Sequence, residues 1–221
     1  MKILAVDTSS TICSVAILEN DKLIDKNELN NGKTHSENLM PLLDELLKKN
    51  NIDIKEIQLI AVCVGPGSFT GIRIGVASIK PIAQVLNIKV ASVTSLETLA
   101  RSVQNSETIV SLIDARNNQV YCGIFDNEYN KKEEYLADDI NVIIENIKKY
   151  NNITFVGNGA VLHRKILENQ MKNIKFSSNN VQTAENTGKI GYKKYLENDL
   201  CDADTIKPIY LRKSQAERMK K

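Results

Sequence analysis

The sequence contains no tryptophan, two histidines, four prolines and four cysteines, and almost no excess of either charge. Each scarcity removes a class of function. Cys13, Cys63, Cys122 and Cys201 lie far apart, so no pair has the spacing of a zinc ligand set or a redox motif. Cys13, Cys63 and Cys122 fall in strand-like runs, where a free thiol packs as a small apolar group. Reduced thiols suit the cytoplasm. His35 has Leu39 at i+4 and His163 is followed by Arg164-Lys165, so neither histidine heads a helical metal pair, and no metal site is expected. No Ser-His-Asp set can be picked out. The net charge of +2 is too small for a protein that grips nucleic acid alone across many phosphates. The basic cluster Arg212, Lys213, Arg218, Lys220 and Lys221 reads either as a solvated tail or as a minor RNA contact. No apolar run is long enough to span a bilayer. Met1-Lys2 leads straight into a strand, with no signal peptide. A cytoplasmic chain without membrane association is expected.

What is present is a plan that occurs twice. Ile3–Val6, Cys13–Leu18 and Lys22–Leu29 are short strands joined by polar turns, an antiparallel meander. Thr34 and Glu37 form a capping box. The helix they open carries Leu39, Leu42, Leu43, Leu46 and Leu47 on one face, and Pro41 is expected to bend it. A strand at Gln58–Val64, a helix from Gly71 to Leu86, a strand at Lys89–Val93 and a helix at Ser95–Val103 complete the first half. The second half runs through strands at Thr108–Ile113, Val120–Phe125 and Lys132–Leu136, then a helix capped by Asp138 and reaching about Tyr150. A strand at Ile153–Val156, a helix from Ala160 to about Gln170, a strand at Ile174–Phe176 and a helix at Ala184–Leu196 follow. Each half reads β-β-β-α-β-α-β-α, which predicts two tandem α/β domains with mixed sheets, residues 1–104 and 105–221. The last segment of the second is expected to pack back on the first.

The most unusual stretch is Val62-Cys63-Val64-Gly65-Pro66-Gly67-Ser68-Phe69-Thr70-Gly71-Ile72-Arg73-Ile74-Gly75. It reads as buried strand, glycine turn and helix start. Its glycine spacing fits neither a P-loop nor a dinucleotide fingerprint. The helix beyond it is apolar on most faces, with Arg73, Lys80 and Gln84 sharing one narrow face. Such a helix is buried by more than one neighbour. It is either a central core helix or a helix whose second apolar face meets another chain. Gly71, Gly75 and Ser78 form a small-residue track that would let another helix come close. Pro81 does not fit this pattern, because an interior proline costs about 3 kcal/mol.

The duplicated plan resembles the actin-like ATPase superfamily (ASKHA, ribonuclease H-like fold). A narrower resemblance rests on five stretches in order: Ile3-Leu4-Ala5-Val6-Asp7-Thr8-Ser9; Thr34-His35-Ser36-Glu37; Gly65-Pro66-Gly67-Ser68-Phe69-Thr70-Gly71-Ile72-Arg73-Ile74-Gly75; Ile113-Asp114-Ala115-Arg116 with Val120-Tyr121; and Pro208-Ile209-Tyr210-Leu211-Arg212. Together they resemble the TsaB (YeaZ) family of the bacterial tRNA threonylcarbamoyladenosine machinery, over nearly the whole chain. The glycine-turn stretch is the most specific. The resemblance implies a non-catalytic scaffold that pairs with the TsaD transferase through its N-terminal domain, or with itself in the same way. The ATPase TsaE joins the complex, and tRNA is its substrate. The chain alone would not be an enzyme but a required subunit, with no cofactor; ATP or ADP would enter only in the assembled complex. His35 with Leu39 does not complete the His-x-x-x-His pair of TsaD. Related chains often carry Lys-Gly where this one has Lys80-Pro81.

On that resemblance the partner interface is expected at Gly71, Ile72, Arg73, Ile74, Gly75, Ser78, Ile79 and Ile82. Asp7, Ser9, Asp114 and Arg116 are the candidates to face a nucleotide. Against that role, Thr8-Ser9 and Ala115-Arg116 stand where nucleotide-binding members place glycine beside the acid. Hydroxyls there can simply close local turns. Asp114 and Arg116 pair with each other, or Arg116 faces a cleft or a partner. Gly157-Asn158-Gly159 reads as a tight strand-to-helix turn or as a decayed adenosine-binding turn. The alternative function is an autonomous ATP-dependent kinase or ATPase of the same superfamily.

Overall fold

The computed structural model describes residues 1–212. Lys213, Arg218, Lys220 and Lys221 of the basic cluster lie outside the described residues. The first half of the chain forms β1 (Lys2–Asp7), β2 (Cys13–Glu19), β3 (Lys22–Leu29), α1 (His35–Lys49), β4 (Leu59–Cys63), α2 (Phe69–Leu86), β5 (Val90–Val93) and α3 (Ser95–Ala100). The second forms β6 (Thr108–Asp114), β7 (Gln119–Asp126), β8 (Leu136–Asp139), α4 (Ile140–Ile147), β9 (Ile153–Val156), α5 (Asn158–Leu162), α6 (Arg164–Gln170), β10 (Ile174–Phe176) and α7 (Ala184–Leu196). The sheets are ordered β3-β2-β1-β4-β5 and β10-β9-β6-β7-β8. Read from the matching strand of each half, these are one topology used twice. In each, a meander is extended by two parallel strands beside its first member.

Two compact units follow: Met1–Thr98 with Gln182–Ile209, and Leu99–Val181 with the described residues from Tyr210 onward. In the first, β1 and β4 are apolar without alternation because both faces of the sheet are covered. Leu4, Val6, Ile60 and Val62 point to the leucine face of α1 and to Ile72, Val76 and Ile79 of α2. Ile3, Ala5, Ala61 and Ala91 point the other way, against α7. The last helix among the described residues therefore closes the first sheet. Its seat is made by glycine: a Cβ on Gly188 would lie 2.2 Å from Leu18, and one on Gly191 would lie 2.5 Å from Ala61. In the second unit α4 lays Ile140, Ile143, Ile144 and Ile147 on Val110, Leu112, Cys122 and Phe155.

Helix α3 stops at Ala100 rather than Val103 and α4 at Ile147 rather than about Tyr150, and two further elements differ more from the sequence reading. The third strand of the second unit is Leu136–Asp139, not Lys132–Leu136. Lys131 makes an isolated bridge to Phe125, and the ladder with β7 forms only from Leu136 onward. The helix cap accordingly falls on Asp139, whose carboxylate accepts the Asn141 N–H at 2.9 Å. The single helix expected over Ala160–Gln170 starts at Asn158 and breaks at His163 into α5 and α6.

The start of α2 is held more tightly than its sequence required. Ser68 caps it, its Oγ accepting the Gly71 N–H at 3.2 Å. Thr8, in the β1–β2 turn, donates its hydroxyl to the Gly71 carbonyl at 2.8 Å. A Cβ on Gly71 would stand 2.1 Å from the Thr8 carbonyl oxygen, and one on Gly75 would stand 2.4 Å from Thr8 Oγ1. Alanine at an interior helix position normally gains about 1 kcal/mol over glycine. At Gly71 the obstacle is backbone, which cannot rotate away, and overpacking costs about 1–3 kcal/mol. Gly71→Ala should therefore lower stability in urea denaturation. A midpoint at or above that of the unmodified chain would show that α2 does not sit this close to the turn.

Candidate functional site

The two turns that end β1 and β6 were the candidate nucleotide sites, and they differ. Asp7 and Ser9 are sealed inside the first unit, at 1% and 2% exposure. Asp7 Oδ1 accepts the Ser9 N–H at 2.9 Å and the Ser9 hydroxyl at 2.7 Å, and Oδ2 accepts the Thr187 hydroxyl of α7 at 3.3 Å. The Cys63 thiol adds a further hydrogen bond. Burial raises the Asp7 pKa above the ordinary carboxylate value, and the hydrogen bonds from Ser9, Cys63 and Thr187 offset part of that rise. Burial together with Asp7 holds the Cys13 thiol up at about 11 and raises Cys63 as well. The glycine turn lies directly on this network. A Cβ on Gly67 would be 2.3 Å from the Ser9 carbonyl, which itself accepts the Ser68 N–H at 2.8 Å. The β1–β2 turn and the turn after β4 thus fill one another's space.

Asp114 and Arg116 belong to the second unit and are more open. The Asp114 carboxylate accepts the backbone N–H of Arg116 at 2.8 Å, so the pairing is local and leaves the guanidinium outside it. Arg116, Asn117 and Asn118 all adopt left-handed backbone, φ +63°, +55° and +57°. Asparagine tolerates this conformation, whereas arginine there is strained. The Asp114 N–H donates to Asn158 Oδ1 at 3.0 Å. Gly159 packs on the backbone of Leu112 and Ile113, where a Cβ would be 2.9 Å from Leu112 C. Gly157-Asn158-Gly159 is therefore a close strand-to-helix turn.

The histidines are not arranged as metal ligands. His35 Nε2 donates to the Ser10 carbonyl at 2.9 Å and its ring lies against Gly71. His163 is buried, and its Nε2 has no hydrogen-bond partner among the described residues. The Glu37 carboxylate accepts the Thr34 N–H and hydroxyl, which holds its pKa down and accounts for it as a cap. Among the described residues no three His, Cys, Asp or Glu side chains are grouped to hold a metal ion.

The residues expected at the partner interface divide by helix face. Gly71, Ile72, Gly75 and Ile79 are buried within the unit, Arg73 is exposed, and Ile74, Ser78 and Ile82 are half-buried. The narrow polar face is partly occupied by the chain's own segment after α7: Lys80 Nζ donates to the Asp204 carbonyl at 2.9 Å, and Gln84 donates to the Asp204 carboxylate. What remains open on α2 is an apolar strip of Ile74, Ala77, Ser78, Pro81, Ile82 and Val85, a third to a half of the helix circumference by its 3.6-residue period. Ala77, Pro81 and Val85 were absent from the sequence expectation. Pro81 is exposed, so the Ala77 carbonyl that it cannot bond lies on the solvent side. Beside the strip, Met40, Leu43 and Leu47 of α1 with Ile54, Pro81, Ile82, Val85 and Leu86 line an apolar groove of about 470 Å³. Met40 is 45% and Val85 85% exposed.

Comparisons with known proteins bear on what this arrangement serves. Residues 27–219 match the family model described as TsaD, tRNA N6-adenosine threonylcarbamoyltransferase. The chain is 31% identical over 223 residues to the Bacillus subtilis tRNA threonylcarbamoyladenosine biosynthesis protein TsaB, covering 98% of this chain and 96% of that one. The Haemophilus influenzae protein of the same name is 28% identical, with 96% and 94% covered. Among solved structures, YeaZ from Pseudomonas aeruginosa superposes with a TM-score of 0.83 at 23% identity, covering 95% of this chain and 99% of that one. The activator of 2-hydroxyisocaproyl-CoA dehydratase from Clostridium difficile, solved with bound ADPNP, superposes at 0.57 and 12% identity, with 95% and 100% covered. These superpositions speak to the fold, which is the actin-like ATPase type expected from the duplicated plan.

The sealed carboxylate has a pH signature. An acid with a raised pKa holds its proton more tightly folded than unfolded. Its contribution to stability is full below the ordinary carboxylate range and is lost as pH rises through the raised value. Asp7→Asn, which removes the titration, should therefore gain stability relative to the unmodified chain as pH rises through that window, and the gain should level off above it. Urea midpoints of the two proteins measured across pH test this. Parallel curves would show that Asp7 is not confined as described.

Proposed function

The chain belongs to the TsaB family of tRNA threonylcarbamoyladenosine biosynthesis proteins, and on that premise we propose that it acts as the non-catalytic scaffold of the modifying complex. Its partner in this reading is a TsaD-like transferase, bound on the open faces of α1 and α2. A TsaE-like ATPase and tRNA join through the assembled complex, and a homodimer would use the same face. The observation that carries the reading is the apolar groove between α1 and α2, with Met40 and Val85 exposed on its rim. Contiguous exposed apolar surface of this kind marks protein–protein contact. The sealed Asp7 turn supports the non-catalytic half of the proposal, since its carboxylate oxygens are engaged by Ser9 and Thr187. The pathway follows from family membership; the partner and the surface are the proposal.

Interface residues that fill a desolvated centre typically cost 2 kcal/mol or more when lost, which is ~30-fold in affinity. Val85 protrudes into solvent, so a charge there leaves the core untouched. Val85→Glu should keep the circular dichroism and urea midpoint of the unmodified chain while losing co-purification with a TsaD subunit. Retained assembly would place the interface elsewhere.

Titration calorimetry of the isolated chain with ATP, with and without Mg²⁺, addresses the catalytic alternative. Negligible heat is expected. Tight binding that disappears in Asp7→Ala would instead identify an autonomous kinase.

A further inference from the structure

The sequence contains two Asn-Gly steps, Asn31-Gly32 and Asn158-Gly159. This dipeptide is chemically vulnerable because glycine leaves its backbone nitrogen unshielded beside the asparagine side chain. The fold treats the two steps oppositely. Asn31, Gly32 and Lys33 are all exposed in the loop between β3 and α1. Gly32 has φ +76°, and a Cβ placed there would meet nothing within 4 Å. The Asn31 side chain is nonetheless fixed. Its Oδ1 accepts the Lys33 N–H at 3.0 Å and an Asn38 Nδ2–H at 3.0 Å, while its own Nδ2 donates to Asn38 Oδ1 at 3.3 Å. The Lys33 amide can only donate, so it fixes which amide atom is oxygen. Oδ1 of Asn31 thus faces two donors, and the ring closed by its bond to Lys33 spans the Gly32 nitrogen.

We propose that Asn31 is a site of spontaneous deamidation, prepared by this loop. The Gly32 backbone nitrogen attacks Asn31 Cγ and its proton passes to the departing amide nitrogen. The Cγ–Nδ2 bond breaks, ammonia leaves, and a succinimide remains. Water then adds to either imide carbonyl. Addition at Cγ gives aspartate at position 31, and addition at the main-chain carbonyl gives isoaspartate; neither step involves an oxidant or reductant. As Cγ becomes tetrahedral, charge develops on Oδ1, where the Lys33 and Asn38 N–H groups already point. Donors placed in advance at a developing oxyanion are the arrangement that accelerates acyl chemistry. Asn158 differs at the attacking residue. One donor, the Asp114 N–H at 3.0 Å, reaches its Oδ1, but the step lies in α5 and the buried Gly159 is pressed on the Leu112 backbone, so its nitrogen is not free to swing onto Cγ. Conversion at Asn31 removes the Nδ2 donor to Asn38, a buried residue of α1. The change therefore reaches the helix that lines the α1–α2 groove.

The test is incubation of the full-length chain at mildly alkaline pH, followed by tryptic mapping with isomer separation. The peptide Asn27–Lys33 should accumulate aspartate and isoaspartate forms several-fold faster than the peptide carrying Asn158. In urea the two steps should convert at similar rates. Asn38→Ala, checked for an intact fold by circular dichroism, should slow conversion at Asn31 several-fold. An intact Asn31 in the folded chain, or equal conversion of the two steps there, would overturn the proposal. A rate unchanged by Asn38→Ala would overturn the role assigned to its amide.

Discussion

Two helices lie against the central strands at distances that a hydrogen allows and a methyl group does not. Helix α2 meets the β1–β2 turn through Gly71 and Gly75 on Thr8, and α7 meets the opposite face through Gly188 and Gly191 on Leu18 and Ala61. Everything else in the first unit follows from these approaches. They cover β1 and β4 from both sides, which is why those strands can be apolar throughout. They bring Thr187 to the Asp7 carboxylate. They also set the glycine turn on the Ser9 carbonyl, so that backbone occupies the room beside the acid.

That packing explains a division of labour in the chain. A polar turn at the end of a first strand is, by resemblance, the place where an actin-like ATPase would meet phosphate. Here it has become a buried hydrogen-bonded joint, paid for in desolvation of Asp7 and offset by Ser9, Cys63 and Thr187. Helix α2 is in turn committed on most of its circumference: the sheet takes Ile72, Val76, Ile79 and Ala83, Thr8 takes the glycines, and Asp204 takes Lys80 and Gln84. What is left over is the strip containing Pro81 and Val85. In that setting Pro81 is intelligible, since the backbone bond it forfeits belongs to a carbonyl on the open side of the helix.

Much of the fold was legible in the residues. The Thr34–Glu37 capping box forms as the spacing implied, and the repeated strand pattern gives two sheets of one topology. The failures are local and physical. Leu136–Asp139 contains three residues poorly suited to strands, yet the ladder with Gln119–Cys122 recruits them. The break at His163 interrupts a helical pattern that shows no proline or glycine at that point. The site was less legible. Of eight expected interface residues, Gly71, Ile72, Gly75 and Ile79 proved to be interior, because glycine and apolar residues mark close packing without saying whether the neighbour is the same chain or another.

The sequence by itself determined most of the elements, their duplication and their family, since these rest on periodicity, caps and short motifs carried by adjacent residues. Only the tertiary structure decided which neighbour each apolar face meets. That α7 seals the first sheet, that Asp7 is closed off by a residue 180 positions away, and that Val85 rather than Gly75 stands open are outcomes of long-range packing. Hydrophobic burial is non-directional, so a pattern of apolar residues specifies that a face must be covered, and the completed chain specifies by what.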